Sequence, residues 1–190
     1  MSKTVDASDL VTIRKKGQPE RVVTLGALIA ESFDYDQDTG ELSWKATPWV
    51  PSHRVGAFPT VTTACGYLTV KIAGKTLPAH RVAYVLMTGG FPPNGQVIDH
   101  INGNKTDNRW CNLRACTRAQ NGQNALGLVP NNSSGFRGVY WDKRFSKWKA
   151  NIRAFGKRYS LGSFDNKEDA IAARLEASAR LHGPFAGRHT

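Results

Sequence analysis

Apolar and polar residues change their spacing several times along this chain, and each change marks an element. Between Thr24 and Phe33, the apolar Leu25, Leu28, Ile29 and Phe33 recur at helical spacing behind a threonine that can cap the first turn, so a short helix is predicted. Phe33-Asp-Tyr35 and Leu42-Ser-Trp44 flank Asp38-Thr-Gly40, which suits a hairpin with glycine in the left-handed position and its aromatic residues in the core. A second strand pair, Tyr67 to Ile72 and Thr76-Leu77, turns at Ala73-Gly74-Lys75. A helix follows from about Ala79 to Met87, closed by Gly89-Gly90 and Pro92-Pro93. His80 and Arg81 open that helix, where His80 is expected in a core or capping role, with a catalytic one as the alternative. Residues 1–23 carry no comparable signal and are read as an N-terminal extension.

The stretch from Gly127 to Ser134 is rich in turn formers and lacks periodicity, so it is read as a domain boundary. Three strand-like runs follow: Gly138 to Trp141, Trp148 to Arg153 and Arg158 to Leu161. Asn166 is placed to cap a final helix whose Ala170, Ile171, Ala173, Ala177 and Leu181 share one side and which ends at Gly183-Pro184. The expected class is α+β, with one domain over 24–128 and a second over 132–186 that pairs a three-stranded antiparallel sheet with one helix.

Charge sharpens this division. The chain of 190 residues carries a formal +11, and residues 131–160 hold eight basic side chains against the single acid Asp142. A charge concentrated in one short segment is the electrostatic footprint expected for a polyanion, because neutralised phosphates release counterions. The three cysteines, Cys65, Cys111 and Cys116, form no C-x-x-C pair, so neither a disulfide framework nor a thiolate zinc site is indicated, and a reducing cytoplasm is the expected setting. Cys111 and Cys116 are read as small core residues. No apolar run is long enough to span a bilayer and none has the form of a signal peptide.

The most informative segment runs from Val97 to Asn121. Its strand-like arms enclose a loop rich in Asn and Gly, and Thr117 with Gln120 has the form of a capping box, which places Asn121 in the first turn of a helix. Asp99, His100 and Asn121 would then converge. Phosphodiester hydrolysis requires a deprotonated water and a cation that neutralises charge on the phosphate. An imidazole suits the first task near neutral pH, and oxygen donors suit a hard ion such as magnesium or manganese.

This segment resembles the His-Asn-His endonucleases, particularly phage homing enzymes, over about Phe33 to Asn124. The resemblance implies a ββα-metal site in which His100 is the general base and Asp99 and Asn121 ligate a divalent metal, magnesium most of all. Asn112 would hold the loop and the histidine in position. Asn102 stands where that family usually has an acid.

Ser134-Gly-Phe-Arg-Gly-Val-Tyr-Trp141, Lys147 to Arg153, Gly156-Lys-Arg158 and Leu161-Gly-Ser-Phe164 resemble the plant ethylene-response-factor (AP-two) domain, over about Asn132 to Phe185. That resemblance implies a sheet laid in the major groove, with Arg137, Lys147, Arg153 and Arg158 on bases or phosphates and Gly138 allowing close approach of the strand. Lys157 is expected at a phosphate. Tyr140, Trp141 and Ser160 depart from the plant pattern, so the recognised sequence should differ.

The functional expectation is a metal-dependent endonuclease of homing type acting on double-stranded DNA as monomer or homodimer, in a host cytoplasm if phage-encoded. The alternative is a non-catalytic DNA-binding regulator that keeps the nuclease fold as a scaffold.

Overall fold

The computed structural model describes residues 9–14, 19–58, 61–124, 132 and 134–186. The expected boundary near 127–134 therefore lies largely outside the described residues. By its contacts the chain forms two compact units, residues 1–116 and 117–190, so the helix after the nuclease-like motif groups with the C-terminal unit. The class is mixed α+β, with small sheets and four α-helices among the described residues.

The N-terminal unit begins with an antiparallel hairpin, β1 (Leu10–Ile13) and β2 (Arg21–Thr24), in a stretch whose sequence carries too few alternating positions to announce it. Helix α1 (Leu25–Ser32) starts as expected, with Thr24 Oγ1 accepting a hydrogen bond from Ala27 N at 3.2 Å. Its Leu25, Leu28 and Ile29 are buried with Phe33, which opens β3 (Phe33–Tyr35). Full burial of side chains this size stabilises by roughly 1.5–3 kcal/mol each. The hairpin of β3 with β4 (Leu42–Trp44) also forms as the pattern predicts, with Gly40 at φ +79°.

Gly40 does more than turn the chain. A Cβ built on it would lie 2.5 Å from Arg109 N and 2.6 Å from the Asn108 carbonyl carbon. The hairpin thus presses against the loop that carries the nuclease-like motif, and Trp110 N donates to Gln37 O at 2.9 Å beside it. Gly40→Ala is accordingly expected to cost about 2 kcal/mol or more, from left-handed strain plus backbone overpacking. Urea unfolding is the check, and an unchanged midpoint would mean that the loop yields without cost.

Strands β6 (Leu68–Ile72) and β7 (Lys75–Pro78) pair about Ala73 and Gly74, both at positive φ, and the two-residue β5 (Val61–Thr62) adds an edge. Helix α2 (Ala79–Thr88) ends at Gly89 in the left-handed conformation. It is buried on two sides. Val82 and Val85 join the core of α1 and β6, while Ala83 packs with Ile98 and Leu113 in a second cluster. Those two residues belong to the paired β8 (Gln96–His100) and β9 (Leu113–Thr117), so α2 is the wall against which the motif strands are set.

In the C-terminal unit, α3 (Arg118–Asn124) opens with the expected capping box: Thr117 N donates to Gln120 Oε1 at 2.8 Å, and Gln120 N to Thr117 Oγ1 at 3.2 Å. Strands β10 (Val139–Asp142), β11 (Lys147–Ala154) and β12 (Lys157–Phe164) form one antiparallel sheet in that order. Helix α4 (Lys167–His182) packs on it over Val139, Ala150 and Ala170. Asn166 occupies the cap position but donates to Asp169 Oδ2 at 3.2 Å and accepts no backbone N–H. The helix also buries Arg174, Ser178 and His182 beside Ala170 and Ala177, where an alanine-and-leucine stripe was expected.

Candidate functional site

Strand β8 carries its last three residues, Ile98, Asp99 and His100, all buried. Asp99 Oδ2 accepts two hydrogen bonds from Arg114 on β9, from Nε at 3.0 Å and Nη2 at 2.8 Å. His100 Nε2 lies 3.0 Å from Asn108 Oδ1. An amide oxygen only accepts, so Nε2 carries the proton and Nδ1 keeps the lone pair that a base requires.

Asn108 is held in turn. It is buried, and its carbonyl accepts from the Tyr35 hydroxyl at 2.6 Å. Burial, with the negative groups around it, pushes the Tyr35 phenol up to about 12, so it stays a donor. The chain of contacts runs from the β3–β4 hairpin through Asn108 to His100.

Asn112 braces the loop. Its Oδ1 accepts from Asn102 N at 2.9 Å, its Nδ2 donates to Asp107 O at 2.7 Å, and its carbonyl accepts from Ile101 N at 2.9 Å. The loop-holding role expected for it fits these bonds, whereas the direct bond to the histidine comes from Asn108, which sequence reasoning overlooked. Asp107, expected to have no ligand role, is tied to Arg109 and Asn102; the Arg109 hydrogen bond comes first in holding its carboxyl at about 2. Asn102, in place of the family's usual acid, keeps that ion pair stitched into the loop.

His80 is nearer to the site than its sequence position implied. Its ring is buried and stands edge-on to His100 with centroids 4.9 Å apart, and Tyr67 flanks both at 5.4 and 6.0 Å. Burial first, then the neighbouring His100 and Arg81 charges, pushes His80 down to about 3. His80 is therefore neutral near neutral pH. Sequence distance from the motif hid this, because the β7–α2 junction returns to β8 only in three dimensions.

Lys105 Nζ sits over the Tyr67 ring at 4.9 Å and donates to Cys65 O at 3.0 Å, adding a cation beside the histidines. Cys116 is buried as expected, but Cys111 is exposed, because the short 3-10 turn Trp110–Asn112 points it away from the core. Asn121, half-buried on α3, belongs to the C-terminal unit.

By donor type the residues fit a hard divalent cation: Asp99 supplies a buried carboxylate, and asparagine oxygens are abundant in this segment. Arg114 already engages that carboxylate, so a cation there would share it with a guanidinium or displace it. No cluster of three or more His, Cys, Asp or Glu side chains able to hold a metal occurs among the described residues.

In the C-terminal unit the sheet has two faces. Ala150, Ile152 and Ala154 turn toward α4, so alternation puts Lys149 and Arg153 on the opposite side, with Arg153 directly across from Arg158 and Lys149 across from Tyr140. Two guanidiniums facing each other across a strand pair repel, an arrangement suited to an anion lying over them. The other expected contacts are placed differently. Lys147 pairs with Asp165, and Lys157 lies across from Ala154, in register with the helix-facing positions. Arg137 donates to Gly122 O at 3.2 Å. At Gly138 a Cβ would meet Asn151 O at 2.4 Å and Arg174 Nε at 2.8 Å, so packing within the unit already requires the glycine.

No helix among the described residues is long and apolar enough to cross a membrane. Comparison with known proteins agrees with the motif. The family model described as HNH endonuclease matches residues 77–123, which span α2 and the β8, β9 and α3 segment. Protein 3.8 of Escherichia phage T7 is 34% identical over 109 residues, covering 57% of this chain and 88% of that protein. An uncharacterized HNH endonuclease of Acanthamoeba polyphaga mimivirus is 29% identical over 121 residues, 64% of this chain and 61% of that protein. No solved structure matches. The chain carries an HNH endonuclease domain, matched over residues 77–123 and containing the Asp99-His100 strand end.

Proposed function

We propose that the protein is a divalent-metal-dependent endonuclease that hydrolyses phosphodiester bonds in duplex DNA, with the C-terminal unit as its DNA reader. The observation that carries this reading is the buried His100 ring at the end of β8, whose Nε2 is engaged by Asn108 at 3.0 Å, which leaves Nδ1 as the nitrogen for the base. Nδ1 takes a proton from a water, the water oxygen attacks phosphorus, and the P–O bond opposite the attack breaks. A divalent ion held by Asp99 would supply charge neutralisation at the phosphate. His80 and Tyr67 wall the base and keep its ring in place. Asn112 fixes the loop between the strands.

Phage and viral relatives suit a homing-type or genome-cleaving role, and the β-β-β-α order of the C-terminal unit suits an AP-two-like reader over 132–186. Its outward Arg153 and Arg158 are the groups assigned to DNA. Plasmid cleavage with and without chelator tests the activity: cutting that stops in chelator and returns with magnesium or manganese supports it, and full cutting in excess chelator refutes the metal. Binding without any cutting would favour the regulator.

The reader has its own test. Arg153→Gln with Arg158→Gln is expected to reduce the magnitude of the salt slope of DNA binding by about 2, one for each lost phosphate contact, or to relax base preference by about 1–3 kcal/mol at single positions. Filter binding of target and random duplexes across a salt series measures both. Unchanged slope and preference would remove this face from the interface.

A further inference from the structure

The C-terminal unit contains a cavity of about 820 Å³, whose lining includes Gln123, Asn132, Arg137, Asn151, Arg174 and His182 and, among the described residues, no Asp or Glu. Arg174 on α4 is only 5% exposed, yet its Nε and Nη1 have no hydrogen-bond partner. Buried guanidiniums are ordinarily answered by an anion, because an unneutralised charge away from water is costly. Here the nearby charges have the same sign. Burial, then Arg137, lowers the Arg174 pKa, and His182 is lowered by burial with further contributions from Arg174 and Arg137. The main chain also makes room for this cation: Gly138, at φ +81°, leaves open the space where a Cβ would come within 2.8 Å of Arg174 Nε.

We propose that this cavity is an anion site that takes a phosphate group, with Arg174 as its buried anchor and Arg137 as a second cation at its side. Phosphate fits better than a carboxylate, since up to two negative charges match two guanidiniums, and each guanidinium presents a fork that phosphate oxygens can meet. Amides of Gln123 and Asn151 line the same space. The cavity's lining also includes Arg153, and the site does not depend on the nuclease reading. Its phosphate could be free, or could belong to a nucleic-acid backbone.

The test is thermal melting of the full-length protein in inorganic phosphate against chloride at equal ionic strength. Wild type is expected to rise by about 3 °C at tenfold excess over the dissociation constant. Arg174→Met should melt no lower than wild type in chloride, because it removes an unneutralised buried charge, and should lose the phosphate response. Arg137→Gln, at an exposed position, should show a smaller response. Equal shifts in wild type and Arg174→Met, or no shift in wild type, would each overturn the proposal. If Arg174→Met does not fold, an undiminished response in Arg137→Gln overturns it. Competition assigns the source. Phosphate that displaces labelled duplex at constant ionic strength identifies a backbone contact, and phosphate that binds without displacing it identifies a free phosphate.

Discussion

His100→Ala is expected to lower DNA cleavage by at least about a hundredfold while duplex affinity stays within twofold, in keeping with what a positioned base contributes. The imidazole at the strand end is the group assigned as base, its Nε2 tied to Asn108, whereas affinity is assigned to the cationic sheet face. Asn108→Ala separates positioning from chemistry: it removes the acceptor at 3.0 Å but leaves the ring. Cleavage should fall less than for His100→Ala, and the pH profile should change, because Nε2 is no longer tied to one partner. Measuring single-turnover cutting and binding on the same duplex distinguishes these effects. Undiminished cleavage by pure His100→Ala would end the assignment of His100 as the base.

Much of the site was legible because its signals are local. Asp99 and His100 are adjacent, the capping box at Thr117 spans four residues, and Gly40 and Gly89 adopt the left-handed conformations that their turns demand. What escaped depends on contacts between distant segments. Asn108 looks like one more loop asparagine until Tyr35, far away in sequence, is found to hold its carbonyl. His80 looks like a helix-start residue until α2 is packed against β8. The β1–β2 hairpin escaped for a different reason: Leu10–Ile13 and Arg21–Thr24 are short, and pairing with each other rather than strong alternation makes them strands.

The C-terminal unit shows the same limit in another form. Period-two reasoning found its three strands, and a bulge between Ala150 and Asn151 then shifted the register on β11. The helix pattern misjudged α4. Alanines allow close packing, but Arg174 and His182 occupy the same buried side, and no apolar periodicity announces a buried cation. The AP-two resemblance assigned Arg137 and Gly138 to DNA, and the structure adds that packing against Arg174 and Asn151 already requires a glycine at 138.

Arg114→Met should produce the largest stability change in the N-terminal unit, and one that depends on metal. The Arg114 and Asp99 side chains are 15% and 7% exposed, so removing the guanidinium leaves a carboxylate buried without this partner. Breaking one side of a buried pair costs about 3–5 kcal/mol. By contrast, Arg109→Met breaks a pair whose arginine side chain is 50% exposed, and should change stability far less. A divalent cation at Asp99 would replace the lost charge, so magnesium or manganese should restore much of the Arg114→Met stability while doing far less for Arg109→Met. Urea unfolding in chelator and in excess metal measures all four conditions. If Arg114→Met is equally unstable with and without metal, Asp99 is a structural carboxylate paired to arginine, and the divalent ion must be held elsewhere. If metal rescues it, the same carboxylate serves two cations in turn, and Arg114 is the group that holds Asp99 in place until the metal arrives.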